Sequence, residues 1–455
     1  MTLWPYQQRF LADIRRAYAL LRARGVRCPR ILAVLPTGGG KTVCFVDLAR
    51  SAVAKGGRVL ILAHRDDLVT SAADKLRAEG ERVGVVMAGV EPDPEAPIQV
   101  CIAQTLRARE YAPDGITHVI IDEGHHATAG LWADIVRCYG GALVVIIAFT
   151  ATPSRGDGTA LADAFDVLVQ GPTVEELTAL GFLSPSKVWR PSERVSHPSR
   201  DALEVILSHR DRLSVTFARS VGESREIMVR AAAACWPLLH VDANTTRRED
   251  RLALVGTSYR GVVNQGVLTE GWDCPAVSLV VLASAPGHVT SYMQRIGRGI
   301  RMAPGKVNVL IYDLFGVSHD LGLPDDPRVW NLGGESGAPV KGSLSSATCK
   351  ACGFGYRWAP RCPSCGHKSA PKPLKRVKWR ELTEAQREKR GSSPVGFLAY
   401  WGGVMAGKGQ GQGALSNKFK GVFQRWPTDA ELMEAVVMRD KANRARAAGE
   451  GAAAE

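Results

Sequence analysis

The stretch Pro36-Thr37-Gly38-Gly39-Gly40-Lys41-Thr42 decides the fold of the first part of this 455-residue chain. It joins an apolar run at 31–35, which predicts a buried strand, to residues 43–49, whose pattern predicts a helix. Glycines let backbone N–H groups turn toward phosphate oxygens, and the helix N-terminus adds positive potential. Lys41 can neutralise the β- and γ-phosphates, and Thr42 can bind Mg²⁺. The sequence therefore predicts a phosphate site at this turn.

The strict phosphate-loop pattern, G-x-x-x-x-G-K-[ST], is incomplete because Leu35 stands at the position of its first glycine. The alternative is a Gly-rich surface turn, which leaves the Lys-Thr pair at the helix start unexplained. A second signal is the predicted strand at 118–121, which leads into Asp122 and Glu123. Such a pair by itself is more often a solvated strand end. Following a phosphate loop, it predicts Asp122 as a Mg²⁺ ligand opposite Thr42 and Glu123 as the base that polarises water.

Val/Ile/Leu-rich runs alternate with helix-like segments through the first two-thirds of the chain, which is typical of parallel sheets buried on both faces. The first series of predicted strands is 31–35, 58–63, 98–103, 118–122 and 142–150, and the second is 214–219, 238–242, 261–267, 278–283 and 307–313. Several prolines between 171 and 200 interrupt any long element there. We therefore predict an α/β protein with one lobe at 1–180 and a second at 200–335.

Four of the ten cysteines form two C-x₂-C-G knuckles, Cys349 with Cys352 and Cys362 with Cys365. Four thiolates at this spacing complete a tetrahedral Zn²⁺ site of the structural type, which predicts a zinc ribbon at 345–370. The aromatic residues between the knuckles, Phe354, Tyr356 and Trp358, either form the small core of the ribbon or stack on bases. The other six cysteines are scattered among apolar residues, so the sequence predicts no disulfide framework.

The positive charge is concentrated at the end of the chain. The formal net charge is +13, and residues 341–455 hold 21 Lys/Arg against 9 Asp/Glu. This balance suits a polyanion such as nucleic acid, and a solvated basic tail is the alternative. In the extension at 371–455, basic residues surround aromatic residues. That pattern suits a nucleic-acid groove, or a helical cap that docks on the lobes or on a protein partner.

No apolar run reaches the roughly 18 to 20 residues that a membrane helix needs, and the N-terminus lacks the pattern of a secretory signal. The sequence therefore predicts no membrane contact and a cytoplasmic location.

Taken in order, the motifs resemble those of superfamily 2 helicases over about residues 3–315. The matching segments of the first lobe are Trp4-Pro5-Tyr6-Gln7, 35–42, 63–68, Ala103-Gln104-Thr105, Asp122-Glu123-Gly124-His125 and Thr150-Ala151-Thr152. Those of the second lobe are 216–221, 267–275 and 294–301. The forms of 267–275 and 298–306 resemble the RadD-like and restriction-motor-like members, which usually carry Cys where this chain has Gly124.

The resemblance implies two tandem RecA-like lobes that use ATP and Mg²⁺, with Arg298 and Arg301 reaching across the cleft to the γ-phosphate. Closure of the lobes would then be the power stroke. It implies that Gln7 recognises adenine and Asp273 contacts ribose, beside a phosphate cradle formed by Pro36, Thr37, Gly38, Gly39, Gly40, Lys41 and Thr42. The implied contacts to nucleic acid are His64, Arg65, Gln104, Thr105 and Thr269.

The predicted function is an ATP-dependent helicase or translocase, with DNA favoured over RNA and a role in repair, recombination or related processing. Three alternatives stay open from the sequence. The chain could be a duplex translocase that does not separate strands, or an RNA helicase. It could also be a zinc-dependent nucleic-acid-binding adaptor with a vestigial ATPase, which the intact Lys41, Glu123, Arg298 and Arg301 disfavour.

Overall fold

A computed structural model shows the strand, loop and helix that surround the Gly-rich turn. Helix α1, Pro5–Ala23, comes first, strand β1, Arg30–Val34, leads into the loop, and helix α2, Lys41–Val53, begins directly after Gly40. The structure describes residues 2–369 except 64, 110–113, 127–133, 135–143, 155–157, 199, 270, 334–336, 338–345 and 358. All statements below concern these residues.

The first lobe is a seven-stranded parallel sheet in the order β3-β4-β2-β5-β6-β1-β7. Its other strands are β2 (Val59–Ala63), β3 (Val83–Val86), β4 (Ile98–Ile102), β5 (His118–Asp122), β6 (Val145–Thr150) and β7 (Val167–Gln170). Its other helical elements are α3 (Asp66–Ala78), α4 (Ala103–Ala108) and a 3₁₀ turn, Gly124–His126. Every residue of β2, β4 and β6 is buried, which explains why these strands were continuous apolar runs in the sequence.

The second lobe has a sheet in the order β10-β11-β9-β12-β13-β8, also parallel. Its strands are β8 (Ser186–Trp189), β9 (Ser214–Phe217), β10 (Leu239–Val241), β11 (Gly261–Asn264), β12 (Leu279–Leu282) and β13 (Val309–Asp313). Helix α5 (Val174–Ala179) precedes the sheet, and α6 (Ala202–Ser208), α7 (Val221–Ala233), α8 (Arg248–Leu252), α9 (Val289–Gly297) and α10 (Ser318–Leu321) follow in order. The predicted α/β class with two parallel sheets is confirmed.

Two strands of the ribbon extend the second sheet. Strand β15, Phe354–Arg357, pairs antiparallel with β8, and β14, Ser346–Thr348, pairs antiparallel with β15. The sequence did not predict β8, which lies before residue 200 and has only one buried residue of four. A short, half-exposed strand lacks the continuous apolar run by which the predicted strands were found. The four-residue strands β3 and β7 of the first lobe were not predicted either. The ribbon is therefore joined to the second lobe through a strand that the sequence left undetected.

The segment after the second lobe returns to the first. The N–H groups of Leu161 and Ala162 donate to the carbonyl of Leu332 at 2.7 and 3.0 Å, and the ring of Trp330 packs against the buried clusters of the chain. The described lobes are thus connected twice, once before β8 and once after α10. Residues 331–346 are rich in Gly and Ser, and Leu332 within them contacts the first lobe.

The predicted basic helical extension at 371–455 lies outside the described residues. In the part of the chain that the structure describes, none of the helices combines the length and the apolar character needed to cross a membrane.

Candidate active site

The phosphate loop has a backbone that only glycine adopts without strain. Gly38 and Gly40 have φ of 85° and 81°, and a Cβ added to Gly40 would lie 2.4 Å from Nε2 of Gln7. Helix α2 has no side-chain cap among the described residues, so its first N–H groups point toward the loop without a side-chain acceptor. The Lys41 ammonium donates to the carbonyl of Leu35 at 3.5 Å. This backbone is suited to hold phosphate oxygens, as the sequence predicts.

The predicted adenine residue, Gln7, is buried against this loop. Its Nε2 donates to the carbonyl of Gly39 at 3.4 Å, and its Oε1 accepts from the N–H of Trp4 at 3.0 Å. The hydroxyl of Tyr6 donates to the same Gly39 carbonyl at 3.0 Å. The ring of Phe182 packs on Trp4 and Tyr6 at centroid distances of 4.5 and 4.8 Å. The start of α1 and the segment between the lobes therefore hold one side of the loop.

The two carboxylates lie where β5 ends. Asp122 is buried, and its Oδ1 accepts from the N–H of Glu123 at 3.0 Å. Glu123 has φ of 52°, a left-handed conformation that turns its side chain away from the line of the strand. Thr42, in the first turn of α2, and Asp122 carry hydroxyl and carboxylate oxygens, which are ligands that suit Mg²⁺, and their binding of this ion stays a prediction.

A chain of polar contacts leads from Glu123 toward the second lobe. His125 Nδ1 lies 3.4 Å from Glu123 Oε2 and 3.1 Å from the hydroxyl of Thr150. That hydroxyl donates to the carbonyl of Thr152 at 3.1 Å, so the His125 Nδ1 is the donor to Thr150. Two residues later, the carbonyl of Ser154 accepts from the buried hydroxyl of Thr290 in α9 at 2.6 Å. The sequence identified this segment by resemblance and missed Thr290, an ordinary threonine in an amphipathic helix.

Gly124 stands where the resemblance implies a cysteine, and its surroundings explain why this chain has a glycine. A Cβ at this position would lie 2.6 Å from the Cβ of Ala148 in β6 and 3.0 Å from Leu32 Cδ1. With this backbone the position has no space for a side chain. The glycine is therefore set by packing between neighbouring strands.

Helix α9 and the turn that follows it meet the phosphate loop from the second lobe. A Cβ on Gly297 would lie 2.6 Å from the side chain of Thr37, and a Cβ on Gly38 would lie 3.3 Å from Cγ of Arg301. The side chain of Arg301 thus passes directly beside the loop, and its guanidinium forms an ion pair with Asp273. The predicted finger Arg301 and the predicted ribose residue Asp273 are neighbours at this edge of the cleft.

Arg298 has a different environment from Arg301. It is buried, and its guanidinium donates to the carbonyl of Thr269 at 2.5 Å and to the carbonyl of Trp272. Both acceptors belong to the loop of the second lobe that also carries Asp273. The structure therefore places Arg298 within its own lobe and Arg301 at the phosphate loop.

Lys306 is a residue whose role the sequence did not indicate. Its ammonium donates to the carbonyls of Arg301 at 2.7 Å, Pro275 at 3.0 Å and Gly299. Burial lowers the pKa of Lys306 to about 8. By binding these carbonyls it ties the loop after β11 to the turn after α9, and so positions Arg301. In the sequence, Lys306 is marked by the Pro304-Gly305-Lys306 turn that follows the arginines, and this turn does not indicate what the lysine binds.

The predicted nucleic-acid residues are distributed over two places. Arg65 lines a cleft between the lobes, opposite Arg248 and Trp272. Gln104 and Thr105 form the start of α4, at the end of β4. The carbonyl of Thr269 accepts from Arg298, as described above. His64 lies outside the described residues. The facing arginines, of which Arg248 was not predicted, suit a backbone of phosphates.

The four predicted zinc ligands form one cluster, with all Sγ atoms within 4.8 Å of one another. Cys349 Sγ lies 3.5 Å from Cys365 Sγ, and Cys352 Sγ lies 3.8 Å from Cys362 Sγ. Tetrahedral Zn–S bonds of about 2.3 Å place sulfurs about 3.8 Å apart, so the thiols fit a closed structural zinc site. Four thiolates would leave such a metal no open position for catalysis, so its role would be structural.

The aromatic residues of the ribbon belong to its core. Tyr356 is buried with Cys349 and Cys362, and Phe354 packs on the ring of Trp189 at 5.1 Å. Trp358 lies outside the described residues. Of the two predictions for these aromatics, the packing of Phe354 and Tyr356 supports a structural role.

Comparison with known proteins agrees with this geometry. Residues 1–155 match the family described as type III restriction enzyme, res subunit, and residues 199–303 match the helicase conserved C-terminal domain. A 51.5 kDa protein of a Lactococcus phage is 27% identical over 361 residues, which cover 73% of this chain and 76% of that protein. The Schizosaccharomyces pombe protein named "Putative mitochondrial ATP-dependent helicase irc3" is 25% identical over 73% of this chain. This chain spans 60% of that relative.

The fold resembles a solved fragment described as a putative HsdR subunit of a type I restriction enzyme from Vibrio vulnificus. The TM-score is 0.55 at 21% identity, and the similarity covers 73% of this chain and 69% of that one. At this identity the likeness concerns the fold alone, and it agrees with the two lobes described above.

Proposed function

We propose that this chain, a superfamily 2 helicase ATPase, is a motor that moves along nucleic acid, with DNA favoured over RNA. The match of its first lobe to a restriction-enzyme subunit supports DNA. The proposed work is strand separation or translocation in repair, recombination or related DNA processing, in the cytoplasm.

The observation that carries the proposal is the meeting of both lobes at one loop. Gly38 of the phosphate loop lies against Arg301 of the second lobe, and Thr37 lies against Gly297 of α9. A nucleotide bound between these surfaces would touch both lobes at once. Hydrolysis and release would then change how the lobes fit together, and that change is the movement a motor needs.

Each residue has a role that follows from its position. Lys41 and the N–H groups of the loop would neutralise part of the negative charge of the phosphates. Thr42 and Asp122 would hold Mg²⁺, which would neutralise a further part of that charge. Glu123 would polarise the attacking water, and Thr150 would hold the ring of His125 beside it. Arg301 would stabilise the negative charge that develops on the phosphate oxygens in the transition state.

Two alternatives use the same ATPase. A duplex translocase would hydrolyse ATP on double-stranded DNA and leave a forked substrate unseparated. An RNA helicase would respond to RNA more strongly than to DNA. A vestigial ATPase is disfavoured, because Lys41, Glu123 and Arg301 are all present and Arg301 lies beside the phosphate loop. A protein that only binds nucleic acid has no need of these residues.

The test is ATP hydrolysis by the full chain with single-stranded, duplex and forked DNA and with RNA, beside the variant Glu123→Gln. We expect stimulation by DNA in the parent and a rate at least about 100-fold lower in the variant, because the base is lost. Strand displacement on the forked substrate separates a helicase from a translocase. Equal low rates in parent and variant with every nucleic acid would disprove the motor.

A further inference from the structure

A cavity of about 340 Å³ lies where the second lobe meets the ribbon. It is at the carboxyl ends of β8 and β13, the edge of an α/β sheet at which ligands bind. Its wall includes Trp189, Arg190, Arg200, Tyr312, Asp313 and Gly353. The volume is within the roughly 300 to 1,000 Å³ of small-ligand sites. None of these residues belongs to the ATPase site.

The cavity continues into a groove that follows the second lobe. Arg200 and Leu314 line both spaces, and the groove extends to Arg219 and Ser220 at the start of α7. Residues 216–221 form one of the segments that resemble helicase motifs. A strand bound at α7 would therefore have a continuous path to the ribbon.

Arg200 lines this path and forms no ion pair with a carboxylate of the described residues. Its neighbours Arg219 and Arg230 form ion pairs with Glu223 at 2.8 Å and Asp201 at 2.7 Å. The guanidinium carbon of Arg200 instead lies 5.3 Å from the centre of the Tyr312 ring. A cation held on an aromatic face, without a competing carboxylate, is well placed for a phosphate.

The aromatic wall behind Arg200 is fixed. The ring of Tyr312 stacks on Trp189 with centroids 5.4 Å apart and an angle of 11°, and its hydroxyl lies 2.8 Å from His209 Nε2. Trp189 is also packed by Phe354 of the ribbon. The zinc module therefore holds one side of the cavity, and its Gly353 carbonyl accepts from the N–H of Arg190 at 2.9 Å.

Asp313 adds an acceptor to the wall. It is fully buried, and its Oδ2 accepts from the N–H and the hydroxyl of Ser318 at 2.8 and 2.7 Å. Its Oδ1 has no hydrogen-bond donor among the described residues. A buried acceptor without a donor costs free energy, and the exocyclic amine of a nucleobase is a donor that carboxylates bind.

We propose that this cavity binds one unpaired nucleotide of the strand that lies on α7, with its phosphate on Arg200. Its base, one with an exocyclic amine, lies beside Trp189 and is directed toward Asp313. This inference rests on the proposed function, because it requires nucleic acid on the second lobe. It makes the ribbon one wall of the nucleic-acid path. A zinc ion that holds the ribbon together would then also affect which substrate binds.

The first test measures the salt dependence of binding of a labelled single-stranded DNA to the full chain and to Arg200→Ala. Loss of one phosphate contact should lower the slope of log K against log salt by about 0.7 and weaken binding several-fold at low salt. The matched control is Arg210→Ala, since Arg210 lies 5.4 Å over the ring of Trp236 outside the groove. Equal slopes in the parent and in Arg200→Ala would overturn the proposal.

The second test replaces each nucleotide of that strand in turn by an abasic residue. One position should weaken binding about fivefold or more, and thymine there should bind less well than cytosine or adenine. In Trp189→Ala, an abasic residue at that position should no longer weaken binding. If Trp189→Ala does not fold, the same measurement is made with Arg200→Ala. A flat profile in the parent, with DNA-stimulated ATPase intact, would refute the nucleotide site alone. If no nucleic acid stimulates the parent, the motor and the nucleotide site both fail.

Discussion

The phosphate loop and the zinc ribbon are both built on glycines with positive φ, but different contacts hold them. In the ribbon, the N–H groups of Gly353 and Gly366 donate to the carbonyls of Cys349 and Cys362, each at 2.8 Å and four residues away. In the phosphate loop, Gly38 and Gly40 are packed by Arg301 and Gln7, which are distant in sequence. The two knuckles of the ribbon are closed by local hydrogen bonds, although β15 and Gly353 also contact β8 and Arg190 of the second lobe. The phosphate loop depends on residues from distant parts of the chain. Remote substitutions should therefore damage the loop more than they damage the knuckles.

The largest effect should come from the residue farthest in sequence from the loop. We expect Arg301→Ala to lower the rate of nucleic-acid-stimulated ATP hydrolysis by about 10³ or more, because an arginine at the phosphates acts mainly in the transition state. Binding of a fluorescent nucleotide should change much less. Arg361→Ala, an exposed arginine of the ribbon, is the matched control and should keep the parent rate. A rate for Arg301→Ala within tenfold of the parent would contradict this role.

A smaller effect should follow from the contact between Gly40 and Gln7. Gly40 and Gly25 have φ of 81° and 83°, but an added Cβ lies 2.4 Å from Gln7 Nε2 in the first and has no atom within 4 Å in the second. Both alanine variants carry the same backbone strain of about 1 to 2 kcal/mol. Gly40→Ala should therefore weaken nucleotide binding about tenfold, and Gly25→Ala should not. Calorimetric titration of ATP with both variants checks this, and equal affinities would contradict it.

Removal of metal from the ribbon should affect the ribbon and DNA binding rather than the phosphate loop. With Cys362→Ser, or after chelation, we expect the ribbon to unfold, because four thiolates and a small core do not hold it without metal. ATP hydrolysis without nucleic acid should stay within about twofold of the parent, while binding of single-stranded DNA weakens. Zinc content, ATPase rate and DNA affinity of the same sample are the measurements. A collapse of the basal rate would show that the ribbon also supports the phosphate loop.

The smallest effect concerns Lys306, which holds the turn that carries Arg301. Burial lowers its pKa to about 8 from an ordinary value of 10.5, so the folded chain loses this proton before the unfolded chain does. The cost of burying the charge is therefore present below pH 8 and is relieved as pH rises toward 10.5. The Tm of the parent relative to that of Lys306→Met should rise between pH 8 and pH 10. Parallel Tm curves would contradict this.

Much of the fold could be predicted because parallel strands buried on both faces leave continuous apolar runs. Strands β1, β5 and β6 follow that rule, and all three were found within a few residues of their bounds. Strands β8 and β15 were missed because they are short and half exposed. Their pairing is also antiparallel and links residues far apart, so no local pattern reports it.

The candidate site shows the same division. Lys41, Asp122 and Glu123 could be singled out because Lys41 follows a Gly-rich loop at the start of a helix and the two carboxylates lie where a strand ends. Thr290 and Lys306 could not, since a threonine in a helix and a lysine in a turn are common, and only the approach of another element gives them a role. The roles of the nucleotide contacts and the domain limits stay predictions, and the experiments above test the main ones.

The sequence by itself determined where strands can form, which turns need glycine, and which four thiols can meet on one metal. These follow from periodicity and spacing over a few residues. Only the tertiary structure decided that Gln7, Arg301 and Thr290 meet around one loop, and that the ribbon continues the second sheet. The reason is physical: sheet order and the approach of the lobes depend on contacts between residues more than 100 positions apart, and these leave no periodic signal in the chain.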